Sequence, residues 1–338
     1  MKWVALPHRS VGFPVTSTLL GNTSERSLLG EVTQLIDAAE EVAIVCSFLI
    51  ASPEVGDAMK EAASRGVRVY VLTSAESALN DGKWFLTDSD RALDAKHRAA
   101  LHKLSNFARV RSSAHWHTKF VLIDPGTNPR GMLLSANLNS HALRTSPEIA
   151  VPLREGEVRT LFEVARSAYW SATSEIRNGV WSTASLNRNV SQVSVSPDIV
   201  STTVDSSAVL TQMRNVLRES QSVTMTTYAV DPTCVVLGQL RELAEAGVPI
   251  TIVCHPSKNN AASLRELSAA GCRVLGTQWL HAKLLDDGRD DVLMVSQNLD
   301  APTHKPRLET AMVLRDERAA DARAWLNFWI DSAGWLLQ

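Results

Sequence analysis

The stretch His115-Trp-His-Thr-Lys-Phe-Val-Leu-Ile-Asp124 decides how the rest of the sequence is interpreted. It contains the pattern H-x-K-x4-D within an alternating run of β-prone residues. Because side chains alternate between the two faces of a strand, His117, Lys119 and Val121 are predicted to share one face. An imidazole and an ammonium group that project side by side can hold and attack an anion.

A second, weaker copy of this pattern lies downstream. The interval between the Asn and the Glu that follow each H-x-K is the same in both copies, whereas the interval from His to Asn is slightly longer in the first copy than in the second. A single H-x-K is usually a strand with a half-buried histidine and a solvated lysine, but two copies with the same companions predict two related sites. The matching residues are His117, Lys119, Ser135, Asn137 and Glu148 in the first copy, and His281, Lys283, Ser296, Asn298 and Glu309 in the second.

The composition of the 338 residues is that of an ordinary globular protein, with 45% hydrophobic and 21% charged residues. This length suggests two domains or one large duplicated domain. The formal net charge of -2 provides no overall attraction to nucleic acid or to an anionic membrane. Binding to either would therefore have to come from a local groove.

Cysteine usage and hydropathy indicate where the protein works. The four cysteines form no C-x-x-C pair and are predicted to be reduced core residues. The amino terminus lacks a sustained apolar stretch, and the longest apolar run, residues 42–51, is too short to cross a bilayer. These features predict a cytoplasmic protein without an integral membrane segment.

Helix and strand signals predict a β-α-β unit in each half. In the first half, strand 42–50 is followed by a helix from Pro53 to about Ser64 and by strand 67–73, and the crossover rule makes the strands parallel. The unit recurs in the second half, where Val223 matches Val42 and Gly247 matches Gly66. The predicted organisation is an amino-terminal half over 1–174, a connector over 175–207 and a carboxy-terminal half over 208–338.

Other segments give weaker signals. Residues 1–26 are predicted to be irregular, and Ser27 then caps a helix to about residue 40. The first half has an insertion within about 74–112, interpreted as a surface helix or as a flap that selects substrate. A helix is also predicted from about Asp316 to Leu336.

The duplicated residues are those that phosphoryl transfer needs, provided that the two motifs face one cleft about a pseudo-twofold axis. Lysines and carboxamides can donate to phosphate oxygens and stabilise charge in the transition state. One imidazole can attack phosphorus while the other, protonated, gives its proton to the leaving oxygen and later activates water. The glutamates would hold the imidazole tautomers.

These motifs, spread over about residues 28–336, resemble those of the phospholipase D superfamily of phosphodiesterases. The resemblance implies a duplicated α/β/α sandwich with mixed sheets, a covalent phosphohistidine intermediate and no metal or other cofactor. It assigns His117 as the nucleophile and His281 as the general acid/base, or the reverse. Phosphate binding would fall to Lys119, Lys283, Ser135, Asn137, Ser296, Asn298 and, as an additional candidate, Arg307, with Glu148 and Glu309 supporting the histidines and Asp124 bracing the fold.

The second motif departs from the family pattern because Gly288 stands where the family has an Asp, and Asp286 and Asp287 come earlier. Tyrosyl-DNA phosphodiesterase-like enzymes lack this Asp and are active, so the departure predicts a working second half, with an inactive one as the alternative. A metal site at His115 and His117 is a further alternative, but no acidic or cysteine cluster completes it.

Three functions fit the sequence. The first is a nuclease, the second a lipid phosphodiesterase or phosphatidyl transferase, and the third a non-catalytic nucleic-acid-binding subunit of a bacterial defence complex. The nuclease hypothesis predicts nucleic acid as the partner, and the third function would add helicase or other defence-complex subunits. The sequence does not separate DNA, RNA and lipid substrates.

Overall fold

A computed structural model describes residues 2–74, 88–113, 116–185, 196–202, 207–257, 260–299 and 307–338. These residues form two compact units. The amino-terminal unit comprises Ser24–Thr145 and Ala150–Pro197, and the carboxy-terminal unit comprises Met1–Thr23, Ser146–Ile149 and Asp198–Gln338. The carboxy-terminal unit therefore includes two short segments, Met1–Thr23 and Ser146–Ile149, that the predicted boundary at 174 assigns to the first half.

Helices and strands alternate through both units, as the repeat predicted. In chain order the elements are β1 Trp3–Ala5, β2 Leu20–Gly21, α1 Leu28–Asp37, β3 Val42–Cys46, α2 Pro53–Ser64, β4 Arg68–Ser74, α3 Asp88–Leu104, β5 Arg109–Ser113, β6 Phe120–Ile123, β7 Arg130–Leu134, α4 Ser140–Arg144, β8 Ile149–Pro152, α5 Glu155–Ser171, β9 Ser174–Arg177, β10 Val180–Thr183, β11 Ile199–Ser201, α6 Ala208–Arg218, β12 Val223–Thr227, α7 Val235–Glu245, β13 Ile250–Cys254, α8 Ala261–Ala269, β14 Arg273–Gly276, β15 Leu284–Asp286, β16 Val292–Val295, β17 Thr310–Leu314, α9 Asp316–Asp331 and β18 Trp335–Leu337.

The sheet of the amino-terminal unit contains, in spatial order, β10, β9, β5, β4, β3, β6, β7 and β8. Strands β3, β4 and β5 are parallel, and the other pairs among these strands are antiparallel. The predicted β-α-β unit is confirmed by the pairing of Val42 with Arg68. Serine side chains cap the first two helices of the chain: Ser27 of α1 accepts from the amide of Gly30, and Ser52 of α2 from that of Val55.

The carboxy-terminal unit repeats this arrangement around a sheet in the order β1-β18-β14-β13-β12-β15-β16-β17-β11. Its parallel strands are β12, β13 and β14. Buried residues of α6, α7 and α8 pack in one cluster with alternate sheet residues such as Leu293 and Val295. The intervening Val292 and Met294 point to the other face, where α9 packs. The predicted α/β/α sandwich with mixed sheets, present twice, is thus confirmed.

Residues 1–23 belong to the carboxy-terminal unit and are not wholly irregular, which corrects the sequence prediction. Strand β1 pairs with β18, and the Asp321 carboxylate of α9 accepts from the amides of Ser17 and Thr18. Gly21 lies so close to Trp325 that an added Cβ would be 2.3 Å from the indole. Periodic signals were absent from this segment, because its partners lie near the other end of the chain.

Two other predictions need correction. The last helix ends at Asp331, not at Leu336, because the chain then turns into β18 beside β14. Part of the predicted connector is strand: β9 and β10 form a hairpin against β5, and β11 pairs with β17. Residues 186–195 and 203–206 of the connector lie outside the described residues.

Asp124 braces the amino-terminal unit at the end of β6. It adopts a left-handed conformation with φ of 45°, and its carboxylate accepts hydrogen bonds from the amides of Glu40, Glu41 and Val42 at 2.8–2.9 Å. Burial alone would raise the pKa of Asp124, but the hydrogen bonds from Val42, Glu40 and Glu41 hold that pKa below its ordinary value. The carboxylate thereby fixes the turn that leads into β3.

Gly288 occupies the equivalent turn of the carboxy-terminal unit, also in the left-handed region with φ of 75°. An added Cβ would meet the Ser222 hydroxyl at 2.3 Å, so this turn has no room for an aspartate. Instead Asp286 pairs with Arg323 of α9, and Asp287 with Arg289. The second half therefore braces the end of β15 by ion pairs and close backbone approach.

The hydrogen bonds to the Asp124 carboxylate predict that the variant Asp124→Asn is less stable than the wild-type protein. Asparagine tolerates the left-handed conformation but loses the charge, so the free energy of unfolding at pH 7 should fall by roughly 1–3 kcal/mol. Because the folded pKa of Asp124 is lowered, its stabilisation is complete above the unfolded pKa of about 3.9 and is lost as the pH falls further. Urea titrations at pH 7 and pH 3 should show the difference shrinking, whereas Asp57→Asn, on an exposed face of α2, should change little at either pH.

Candidate active site

The amino-terminal H-x-K lies immediately before β6. His117 and Lys119 were predicted within the strand, but β6 begins at Phe120, and only the carbonyl of Lys119 continues the ladder by accepting from Leu134. The ammonium nitrogen of Lys119 is 3.5 Å from Nδ1 and 3.4 Å from Nε2 of His117. Both side chains are buried, and the ring of Phe48 packs edge-on against the imidazole. The predicted side-by-side arrangement of imidazole and ammonium is present.

The carboxy-terminal H-x-K has the same local arrangement. The Lys283 ammonium lies 3.3 Å from Nε2 of His281 and donates to the His281 carbonyl at 2.7 Å. Lys283 is 1% exposed and Lys119 is fully buried. Lysine is rarely buried to this extent unless an anion or another acceptor balances its charge. An anion such as a phosphate is one group that could balance these two ammonium groups.

Glu148 comes from the first sequence repeat but pairs with the histidine of the second. Its Oε1 lies 2.9 Å from Nδ1 of His281, and the carboxylate is almost completely buried. The preceding Pro147 carbonyl accepts from the amides of His281 and Ala282, both at 3.1 Å. Segment Ser146–Ile149 is thus part of the carboxy-terminal unit. The carboxylate orients the imidazole so that its other nitrogen faces Lys283.

The two S-x-N segments follow β7 and β16. These strands pair with β6 and β15, which come directly after the two H-x-K motifs. Ser296 donates to the Glu309 carboxylate and accepts from the Thr310 amide at 2.9 Å. Ser135 is buried at the corresponding position. The Oδ1 atoms of Asn137 and Asn298 are buried without a hydrogen-bond partner in the described ranges. Buried carboxamides of this kind are suited to binding a ligand.

The predicted site residues therefore fall into local groups. The structure brings His117 to Lys119, His281 to Lys283 and Glu148, and Ser296 to Glu309. Arg307 is partly exposed two positions before Glu309, and its phosphate contact stays a prediction. The convergence of both motifs on one cleft also stays a prediction.

Helix α3, in the predicted insertion, supports the loop next to Asn137. His97 is fully buried, and its Nδ1 lies 3.1 Å from the amide nitrogen and 2.9 Å from the carbonyl oxygen of Ile50. Ile50 in turn forms a bridge with Leu138. Burial lowers the pKa of His97, which favours a neutral ring. The helix is packed rather than merely solvated; residues 75–87 of the insertion lie outside the described residues.

Sequence reasoning missed several residues around His281. Tyr228 packs edge-on against its ring, just after β12, as Phe48 packs against His117 just after β3. The buried Asn260 donates to the Tyr228 carbonyl and accepts from the Val230 amide. Val230 bridges to Leu299 as Ile50 bridges to Leu138. Alignment of the two repeats beyond their charged motifs would have identified these correspondences.

The described residues contain neither a cluster of metal-ligand side chains nor a membrane-spanning helix. Within the described ranges, no three or more His, Cys, Asp and Glu side chains are grouped as metal ligands would be. His115, one member of the alternative metal site, lies outside these ranges. None of the described helices has the length and apolarity needed to cross a membrane.

Part of the chain matches a known family. Residues 32–170 match the family model described as cardiolipin synthase, PLD-like domain. No curated protein sequence matches the chain.

Solved structures share the fold at low sequence identity. Phosphatidylserine synthase from Haemophilus influenzae is 12% identical with a TM-score of 0.63, over 95% of this chain and 89% of that one. Polyphosphate kinase from Porphyromonas gingivalis is 16% identical with a TM-score of 0.53, over 88% of this chain but only 44% of the kinase. Nuc, a phospholipase D family member from Salmonella typhimurium, is 17% identical and covers 47% of this chain and 98% of its own, with a TM-score of 0.38 that supports no further comparison.

The burial of His97 predicts a pH-dependent contribution to stability. Because its folded pKa is lowered, the stabilisation is complete above the unfolded value of about 6.5 and is lost as the pH falls towards the folded value. Wild-type protein should therefore lose about 2–4 °C more in Tm between pH 8 and pH 5 than His97→Asn does, for a loss of about 1 kcal/mol. The exposed His8, replaced by Asn, is the matched control; equal pH dependence in all three proteins would contradict the assignment.

Proposed function

Because residues 32–170 match a PLD-like domain and the motifs of both halves resemble those of the phospholipase D superfamily of phosphodiesterases and phosphotransferases, we propose that this chain is a nuclease that cleaves nucleic-acid phosphodiester bonds without a divalent metal. The observation that carries the proposal is the pairing of each motif histidine with a buried lysine. A phosphodiester brings the negative charge that two buried ammonium groups can balance. The imidazoles supply the nucleophile and the proton donor.

The proposed reaction has two steps. A ring nitrogen of His117 forms a bond to phosphorus while the bond to the leaving oxygen breaks, and that oxygen takes a proton from His281. Water then attacks the phosphohistidine, gives a proton to His281 and releases His117. The products are a phosphomonoester and an alcohol, and both histidines return to their starting protonation states.

Neighbouring groups would stabilise the charges that develop on the phosphate and on His281 during the two steps. Lys119 and Lys283 would donate to the non-bridging phosphate oxygens, with the carboxamides of Asn137 and Asn298 beside them. Glu148, 2.9 Å from His281, would hold the proton on Nδ1 and favour the imidazolium that donates to the leaving oxygen. We assign the same supporting role to Glu309, with Ser135, Ser296 and Arg307 as further phosphate-binding groups.

Nucleic acid is the proposed substrate because flat aromatic rings lie beside His281, beginning with Tyr228 at a centroid distance of 5.0 Å. Unpaired bases next to a scissile phosphate can stack on such rings. The second candidate is a lipid phosphodiester. Its support is the description of the matched family model and the likeness to a phosphatidylserine synthase.

The two histidines provide the first test of the mechanism. His117→Ala and His281→Ala should each lower turnover of a labelled single-stranded oligonucleotide by at least ~10²-fold, because each removes a group that forms a bond or transfers a proton. The assay contains EDTA, in which wild-type protein should retain full activity. His8→Ala is the matched control, and circular dichroism checks the fold of each variant.

Two results would contradict this mechanism. Loss of wild-type activity in EDTA with recovery in magnesium would exclude a reaction without metal. Near wild-type turnover by His281→Ala would show that the second half is a degenerate scaffold.

Salt dependence and substrate choice provide the second test. His117→Ala protein is titrated with labelled single-stranded DNA and with phosphatidylcholine vesicles at several salt concentrations. For about three phosphate contacts, log affinity for single-stranded DNA should fall against log salt with a slope of roughly -2. Replacing Arg307 by Ala should make that slope shallower by about 0.7. Vesicle binding without salt-dependent DNA binding would instead support the lipid candidate.

A further inference from the structure

Three aromatic rings of the carboxy-terminal unit form a stack that starts next to His281. Tyr228 packs edge-on against His281 and lies parallel to His255, with centroids 5.3 Å apart and planes 3° apart. His255 is in turn parallel to Trp279 within 14°, at 5.1 Å. Trp279 is 47% exposed. The stack therefore runs from a motif histidine to a solvent-exposed indole.

The chain holds Trp279 in an unfavourable backbone conformation. Its φ is +60°, a region that bulky side chains rarely adopt. Its amide donates to Nδ1 of His255 at 3.1 Å, which links the backbone of one ring residue to the side chain of the next. Such strain persists where the surrounding structure maintains it, often at a functional position. Presenting the indole is an evident use for this conformation.

Asn260 fixes the other end of the stack. Its side-chain amide donates to the carbonyls of Tyr228 at 2.8 Å and of His255 at 3.3 Å, while its Oδ1 accepts from Val230. Burial lowers the pKa of His255, so the middle ring is neutral at pH 7. A neutral imidazole stacks between two aromatic rings without the cost of burying a charge.

The middle ring of the stack is specific to the second repeat. In the amino-terminal unit Phe48 takes the place of Tyr228, but strand register puts Thr73 where His255 would be. Thr73 uses its hydroxyl to donate to the Phe48 carbonyl, so this described position of the first repeat holds no aromatic ring. A purely structural need for aromatic packing beside the histidine would apply to both repeats. The extension to His255 and Trp279 therefore calls for a separate explanation.

We propose that Trp279, backed by His255 and Tyr228, is a stacking subsite for an unpaired nucleobase next to the scissile phosphate. This inference rests on the proposed nuclease function and adds a preference for single-stranded over duplex nucleic acid, because a paired base cannot present its face to the indole. A nucleobase can add to a set of parallel rings as one more flat ring in the stack. A quaternary ammonium headgroup would require rings set at steep angles around one point, which these three are not.

The test compares Trp279→Gly with unchanged protein, both in the full-length His117→Ala background. Glycine adopts the positive φ without strain, so the variant is expected to fold. Labelled single-stranded oligothymidylate is titrated against the same strand carrying abasic residues. Trp279→Gly should lower affinity for the normal strand roughly 10-fold, the order expected for one stacked base, and leave affinity for the abasic strand unchanged.

Two further variants test whether the loss of affinity comes from the missing aromatic face at position 279. Trp279→Phe keeps a flat face and should recover most of the affinity. Trp170→Ala removes a 36% exposed tryptophan from the amino-terminal unit and should change neither strand's affinity. Equal losses for normal and abasic strands, no loss for either, or a loss confined to phosphatidylcholine vesicles would overturn the subsite.

The outcome separates the subsite from the nuclease function. If wild-type protein cleaves nucleic acid but Trp279→Gly binds the normal strand as tightly as its parent, the subsite is wrong and the nuclease function stands. If wild-type protein cleaves no nucleic acid but base-dependent binding requires Trp279, the nuclease function is wrong and Trp279 is a base-binding residue without a scissile phosphate beside it.

Discussion

The pairing of Glu148 with His281 is the interaction on which the organisation of this chain depends. A carboxylate that is 1% exposed is costly unless a positively polarised partner lies against it, and the imidazole at 2.9 Å is that partner. The pairing draws segment Ser146–Ile149 into the carboxy-terminal unit, where the Pro147 carbonyl also accepts two amides. The second sequence repeat therefore does not contain all the residues around its own histidine. Removing one member of such a buried pair typically destabilises a protein by roughly 3–5 kcal/mol, because the remaining charged group is left buried without its partner.

The two repeats meet the same structural needs with different residues. The turn after the H-x-K strand is fixed by the Asp124 carboxylate in one repeat and by the close approach of Gly288 to Ser222 in the other. After β3 the backbone amide of Ile50 donates to the side chain of His97, and after β12 the backbone amide of Val230 donates to the side chain of Asn260. Each solution satisfies a buried backbone group, so the two halves can diverge in sequence while keeping the same sheet. The divergence also places Thr73 in the first half where the aromatic His255 stands in the second.

The buried positive charge of the lysines indicates that the H-x-K pairs do more than fill space in the core. An ammonium group removed from water must be balanced by an acceptor or by an anion, and both Lys119 and Lys283 are almost completely buried. The neighbouring carboxamides have buried oxygen atoms without partners among the described residues. Groups of this kind lower the stability of a protein unless they are used. The buried lysines at matching places in both halves agree with a site for an anionic substrate, and the carboxamide oxygens could accept from a donor group of that substrate.

The sequence by itself predicted most of the elements and a candidate site. Period-2 and helical patterns predicted both β-α-β units, and the repeated His, Lys, Asn and Glu spacing predicted the candidate site residues, because both signals are local or repeat at a fixed offset. Only the tertiary structure decided which unit residues 1–23 complete, which histidine Glu148 supports, and that Tyr228, His255 and Trp279 form one stack. These three facts depend on contacts between residues far apart in the chain. Such contacts leave no periodic trace in the sequence, because each is made by a single side chain whose partner is set by how the strands are ordered in the sheet.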